Sequence, residues 1–178
     1  MIPLDRHIER WVVHHRAGFV DDFFVGLSRV GTLGLVWIGI AVLLALAWRR
    51  PGLVLLVAAA DGAADLLALA LKRLVDTDRP PLRYPEPHAL VRVPQDHSFP
   101  SGHSATSFAC ATVLASAAPR LAVPLYLLAV AIAYSRVYVG VHYPLDLLGG
   151  AVLGVAVAIA LLKLSRVPRR SRPAPPPG

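Results

Sequence analysis

A chain of 178 residues, 56% of them hydrophobic and with a mean hydropathy of +0.58, carries more apolar surface than a water-soluble domain of that length normally does. Its single cysteine, Cys110, lies inside an apolar stretch, which excludes a disulfide framework and a thiolate metal centre and makes it core filler. The net charge of +7 comes from basic residues scattered at the ends of apolar runs and in the tail, a pattern that fits membrane topology and anion binding rather than a nucleic-acid partner.

In chain order, residues 1–16 are amphipathic: Leu4, Ile8, Trp11 and His15 recur at helical spacing, with Asp5, Arg6, Glu9 and Arg10 between them. Those charges exclude a cleavable signal peptide. The segment is expected to lie along a membrane interface, and residues 19–30, which carry Asp21 and Asp22, to continue there or dip inward; neither piece is long enough to span. Apolar runs at 31–48, 52–74, 101–117, 121–134 and 144–164 predict five spans. Several sit near or below the lower limit of about 17 residues, so their ends are expected to extend into the flanking polar motifs. A loop of roughly 25 residues, rich in Pro, Arg and His, separates the second span from the third and is too long for a mere connector.

Arg49, Arg50, Arg120 and the cluster Lys163, Arg166, Arg169, Arg170 and Arg172 fall on one side of this arrangement, which the positive-inside rule makes cytoplasmic. The fold class expected is therefore all-α: a polytopic transmembrane helix bundle of about five spans. An interfacial segment (1–30) precedes a transmembrane domain (31–164), and a disordered, basic, Pro-rich tail (165–178) follows, held near anionic lipid.

The polar strings sit where apolar runs meet loops, all at the opposite, extracytoplasmic end. Asp61, Asp65 and Lys72 share a helix face, because steps of four and seven residues return to nearly the same angle at about 3.6 residues per turn. Lys72 is expected to point into the bundle rather than snorkel to the interface, while Asp61 and Asp65 read as satisfied intramembrane acids. Arg79 precedes Pro80-Pro81, which stiffen the loop so that a planar guanidinium fork can be aimed at two oxyanion oxygens. Arg73, Arg83 and Arg92 read as solvated neighbours.

Pro100-Ser101-Gly102-His103 opens the third span, with Ser101 as the natural cap and Gly102 permitting close backbone approach; free amides at such a helix start attract an anion. His103 stands at that start with a side chain suited to proton transfer. In His142-Tyr143-Pro144-Leu145-Asp146, Pro144 favours the first turn of the fifth span, so Asp146 can reach back to His142, fix its tautomer and leave the other nitrogen free to attack. Arg136 ends the fourth span, and Gly140 lets the chain turn so that Arg136 and His142 can face one anion. No metal is expected: the histidines lack ligand spacing, and the arginines would repel a cation. His88 and His97 read as loop structure.

Lys72, six residues, then Arg79-Pro80; Pro100-Ser101-Gly102-His103; Ser135-Arg136, five residues, His142, three residues, Asp146: in order and spacing these strings resemble the signature of the type 2 phosphatidic-acid phosphatase superfamily, membrane lipid phosphatases related to vanadium haloperoxidases. The resemblance covers about residues 31–164 and is to the shorter bacterial-type members, which lack a full first span. It implies a metal-independent, cofactor-free hydrolase in which His142 attacks phosphorus, Asp146 orients it, and His103 protonates the leaving group and later activates water. Lys72, Arg79, Ser101, Gly102 and Arg136 would hold the phosphate oxygens. The partner implied is a lipid phosphate in the plasma membrane. A polyprenyl diphosphate of the undecaprenyl type is favoured over phosphatidic acid, diacylglycerol pyrophosphate or phosphatidylglycerol phosphate, and oligomeric state stays open. A haloperoxidase would share the anion cradle, but the membrane spans argue against it. A transporter built on Asp61, Asp65 and Lys72 would be expected to show an internal repeat, and none is evident.

Overall fold

The computed structural model describes residues 3–165, and among these every regular element is helical. The expected tail at 165–178 falls, but for Ser165, outside the described residues. Two N-terminal helices, α1 (Pro3–His14) and α2 (Gly18–Val30), precede a 3-10 turn at Thr32–Gly34 and α3 (Leu35–Trp48). Then come α4 (Gly52–Leu74), a short α5 (Pro80–Arg83), α6 (Gly102–Ala117), a 3-10 turn at Pro119–Leu121, α7 (Ala122–Tyr138) and α8 (Pro144–Ser165). Helices α4, α8 and α7 with its preceding turn are each long and apolar enough to cross a bilayer; α2 and α3, bent by 66°, together make a fourth such stretch.

Helix α6 is the axis of the bundle, packed between α4, α7 and α8. Its 16 residues are short for a span and rich in Ala, Ser and Thr, and Ala105, Ala109, Cys110 and Ala111 are fully buried against the equally buried Ala60, Ala64 and Ala68 of α4. Small side chains let the backbones approach, as expected where lipid supplies no hydrophobic drive for helix association. Gly150 and Gly154 of α8 make the closest approach: a methyl group on either would collide with the α6 backbone at Ser101 or Ala105. Trp37 Nε1 donates to Ser107 Oγ at 3.3 Å and ties α3 to the same axis.

Helix α7 runs four residues past the apolar window that predicted it, ending at Tyr138 and carrying Arg136 inside the helix. Gly140 follows with φ of 80°, the left-handed turn that returns the chain toward α8. The long loop between α5 and α6 is pinned at two points. Ser98 N donates to Thr77 O at 2.9 Å and Leu90 N to Val139 O at 3.0 Å. Helix α1 turns Asp5, Glu9, Val12 and Val13 inward and leaves Leu4 (65%) and Trp11 (58%) exposed; Asp5 Oδ1 accepts from Leu145 N at 2.8 Å in the first turn of α8.

Candidate active site

A cavity of about 310 Å³ opens at the end of the bundle where α4, α6 and α7 meet the long loop, and Lys72, Arg79, Gly102, His103, Arg136 and His142 all line it. Strings separated by up to 70 residues of sequence (Lys72 to His142) thus converge on one space. Asp61 and Asp65 line it too, on the α4 face they share with Lys72, as helical spacing requires. Ser101 and Asp146 stand behind the wall. Ser101 Oγ accepts from Ser104 N at 3.4 Å as the N-cap of α6, and Ser101 N donates to Asp146 O at 2.9 Å.

The hydrogen bonds around His142 fix its tautomer. Arg79 Nη1 lies 2.9 Å from Nε2, and a guanidinium can only donate, so Nε2 carries the lone pair and the proton is on Nδ1. Nδ1 faces Asp146 Oδ2 at 3.1 Å. The same carboxylate oxygen accepts from Tyr143 N at 2.9 Å and from Ser98 Oγ at 2.5 Å, so Asp146 is itself held from two further sides. Burial, then the charges of Arg79, Arg136 and Lys72, push the His142 pKa well below its ordinary value, which keeps the imidazole neutral with Nε2 as a nucleophile's lone pair.

His103 Nε2 lies 3.1 Å from the Ser28 carbonyl and 3.4 Å from Thr32 Oγ1. A carbonyl only accepts, so that nitrogen holds a proton. Arg136 Nη1 donates to the Ser28 hydroxyl, while its buried Nε has no partner, a donor free for an anion. Arg79 is 1% exposed and heavily engaged: besides His142, it donates to Val141 O (2.9 Å), to Asp96 O (2.9 Å) and to Asp96 Oδ1 (2.6 Å). Asp96 Oδ2 lies 2.5 Å from Lys72 Nζ. Burial alone would raise the Asp96 pKa, but the hydrogen bonds and charges of Lys72 and Arg79 outweigh it and hold it at about 2.

Sequence reasoning missed Ser28, Asp96 and Ser98. Ser28 had a faint signal: Asp21 and Ser28, seven residues apart in an apolar run, share the face of α2 that meets α7, where Asp21 accepts from Tyr138 OH at 2.7 Å. Asp96 and Ser98 lie in a loop with no periodicity to read. His88 and His97, set aside as loop structure, pair with Glu86 and Asp76 and do not line the cavity. Among the described residues no three His, Cys, Asp or Glu side chains converge as metal ligands would.

The chain is similar to several known proteins. The family model of the PAP2 superfamily matches residues 52–170. The chain is 39% identical over 133 residues to the decaprenylphosphoryl-5-phosphoribose phosphatase of Mycobacterium tuberculosis, covering 74% of this chain and 73% of that protein. It is 31% identical over 148 residues to the undecaprenyl-diphosphatase of Sulfolobus acidocaldarius, covering 79% and 68%. Among solved structures, LpxE of Aquifex aeolicus superposes with a TM-score of 0.79 at 29% identity, over 91% of this chain and 96% of that one. The phosphatidylglycerolphosphate phosphatase of Bacillus subtilis does so with a TM-score of 0.75 at 27% identity, over 95% and 88%. A convergent set of cations and histidines in an all-helical, multi-pass bundle, joined to these matches over most of its length, shows that the chain belongs to the PAP2 superfamily and is a membrane hydrolase of lipid phosphates.

Proposed function

We propose that the chain hydrolyses a polyprenyl-linked phosphate or diphosphate, with the undecaprenyl-type diphosphate as the leading substrate, through a phosphohistidine at His142. The observation that carries this reading is the neutral His142, with Nδ1 directed at Asp146 and the Nε2 lone pair in a cavity lined by Lys72, Arg79 and Arg136. In the first step Nε2 forms a bond to phosphorus as the bond to the leaving oxygen breaks, and His103 gives that oxygen a proton. In the second, water attacks phosphorus, the N–P bond breaks, and His103 takes the water's proton back. Lys72, Arg79 and Arg136, with the Gly102 amide at the start of α6, stabilise the charge that develops on the equatorial oxygens, while Ser101, behind the wall, caps that helix start.

Two of the relatives support the polyprenyl class: the mycobacterial and archaeal enzymes are named for decaprenyl-linked and undecaprenyl substrates. The higher identity to the former favours a second reading, a phosphomonoester carried on a polyprenyl-linked sugar. Basic residues at 49, 50, 120 and 163, at the end of the bundle away from the cavity, support a cytoplasmic C-terminal side and an active site on the outer face of the plasma membrane. We divide the chain accordingly into a catalytic unit at 31–164 and an interfacial segment at 1–30 that buttresses it. The test is phosphate release in detergent with EDTA from undecaprenyl diphosphate, a polyprenyl phosphoribose phosphate, phosphatidic acid and phosphatidylglycerol phosphate. Native chain should hydrolyse a polyprenyl substrate fastest and His142→Ala should release none; preference for a glycerolipid would refute the substrate class.

A further inference from the structure

The anion cradle already holds an anion. One carboxylate oxygen of Asp96 lies 2.5 Å from Lys72 Nζ and the other 2.6 Å from Arg79 Nη2, while the Asp96 carbonyl accepts from Arg79 Nε at 2.9 Å. Asp96 lines the cavity with these cations, and its side chain is 38% exposed where theirs are enclosed. A guanidinium has five N–H donors, and four of those on Arg79 are spent on Asp96 O, Asp96 Oδ1, Val141 O and His142 Nε2. The cradle is therefore closed twice. A carboxylate sits on two of the cations that a phosphate needs, and an N–H covers the lone pair that must attack phosphorus.

We propose that Asp96 is an internal competitor for the substrate phosphate: binding displaces its carboxylate from Lys72 and Arg79, and Arg79, so released, turns from His142 Nε2 to the phosphate. This rests on the phosphatase reading above. Charge gives the arrangement a purpose. Lys72, Arg79 and Arg136 put three positive charges around the cavity, and of the acids that line it, Asp61, Asp65 and Asp96, it is Asp96 whose carboxylate is bonded to two of them. Asp96, with its carboxyl held at about 2, is ionised at every working pH and always available to compete. Without it, inorganic phosphate, the product, would meet Lys72 and Arg79 with no carboxylate bonded to them and leave more slowly. An ordinary brace would act in the opposite sense: if Asp96 merely held Lys72 and Arg79 in place, removing it would scatter the cations and weaken anion binding.

The experiment is equilibrium titration of inorganic phosphate and of orthovanadate into the full-length protein in detergent with EDTA, for the native chain, Asp96→Asn and Asp96→Ala. The competitor predicts that both variants bind both anions about tenfold tighter or more, since one unit charge within a few ångströms has been removed. Turnover should fall as product is retained, and the KM should fall with it. Affinity that is unchanged or weaker in both variants overturns the proposal. The titration needs no hydrolysis, so a native chain that cleaves no lipid phosphate would sink the phosphatase reading while the anion affinities still decide the role of Asp96. Should neither variant fold, hydrogen exchange in the native chain decides: orthovanadate should speed exchange across residues 91–97 as the carboxylate is displaced, and unchanged or slower exchange there overturns the proposal.

Discussion

Replacing Asp146 with asparagine separates the charge of this side chain from its geometry. Asp146 Oδ2 accepts from Ser98 Oγ at 2.5 Å, Tyr143 N at 2.9 Å and His142 Nδ1 at 3.1 Å. The Tyr143 amide can only donate, so the variant must keep its amide oxygen, not its nitrogen, at that corner. That oxygen still accepts from Nδ1–H, and Nε2 keeps its lone pair. Only the negative charge is lost, beside an imidazole that becomes cationic as it bonds to phosphorus. A unit charge pair at about 4 Å and an effective dielectric constant of about 20 is worth roughly 4 kcal/mol, an upper bound here because the hydrogen bond survives. Turnover should therefore fall by roughly 10²–10³, about 3–4 kcal/mol of barrier. The KM should be little changed, since Asp146 does not line the cavity. The assay is initial-rate phosphate release from undecaprenyl diphosphate in detergent with EDTA, alongside His142→Ala, which should fall to background. A loss in Asp146→Asn as complete as that of His142→Ala would mean that the tautomer had flipped, and a loss below about fivefold would leave the carboxylate charge no part in the reaction.

Glu9 is 1% exposed, and burial raises its pKa to about 7 despite Arg10 and Arg16. A folded-state value above the ordinary 4.5 favours the protonated form, so this contribution to stability is full below pH 4.5 and is lost as pH rises through about 7, at most about 3 kcal/mol. Thermal unfolding in detergent from about pH 5 to 8 should show the native Tm falling relative to Glu9→Gln; parallel curves would refute the burial argument. Gly154→Ala should lower the Tm, by about 1–3 kcal/mol in stability terms, because its methyl meets the α6 backbone, whereas Gly39→Ala, with nothing within 4 Å, should not; equal effects would contradict the packing. In a Cys110→Ala background, Arg92→Cys should label with a membrane-impermeant thiol reagent on intact cells and Arg120→Cys should not, both positions being exposed; the reverse pattern inverts the orientation.

What could be read from the chain, and what could not, follows from the range of the forces involved. The spans were legible because a long apolar run has one outcome in lipid, and their ends were marked by Arg49-Arg50-Pro51 and by Pro144. The extension of α7 into its flanking motif, four residues past the apolar run, has the same origin: a hydropathy window stops at a charge, whereas a helix continues if the charge finds a partner, as Arg136 does in Ser28. Lys72, His103 and His142 were legible because fixed spacing on helix ends decides their direction. Asp96 and Ser98 were not, since their positions depend on where a loop is tied, by Ser98 N to Thr77 O, and no local rule fixes that. The fork of Arg79 was read as free for two oxygens. In the structure most of its donors are spent on Asp96, Val141 and His142.

The N-terminal helix shows the same limit from the other side. The spacing of Leu4, Ile8 and Trp11 announces an amphipathic helix but does not say which face is inside. In a water-soluble protein the apolar stripe would pack on the core. Here it faces outward, with Phe19 (90% exposed) and Phe23 beyond it on α2, while Asp5 and Glu9 turn toward the protein. Val12 and Val13 share that inner face, and an outward apolar stripe is what a helix at the headgroup boundary of a bilayer would present. The inner acids then have work that lipid could not give them: Asp5 supplies an acceptor to Leu145 N, one of the otherwise unpaired amides of the first turn of α8, three residues beyond His142. Through this bond α1 braces the turn that carries His142 and Asp146.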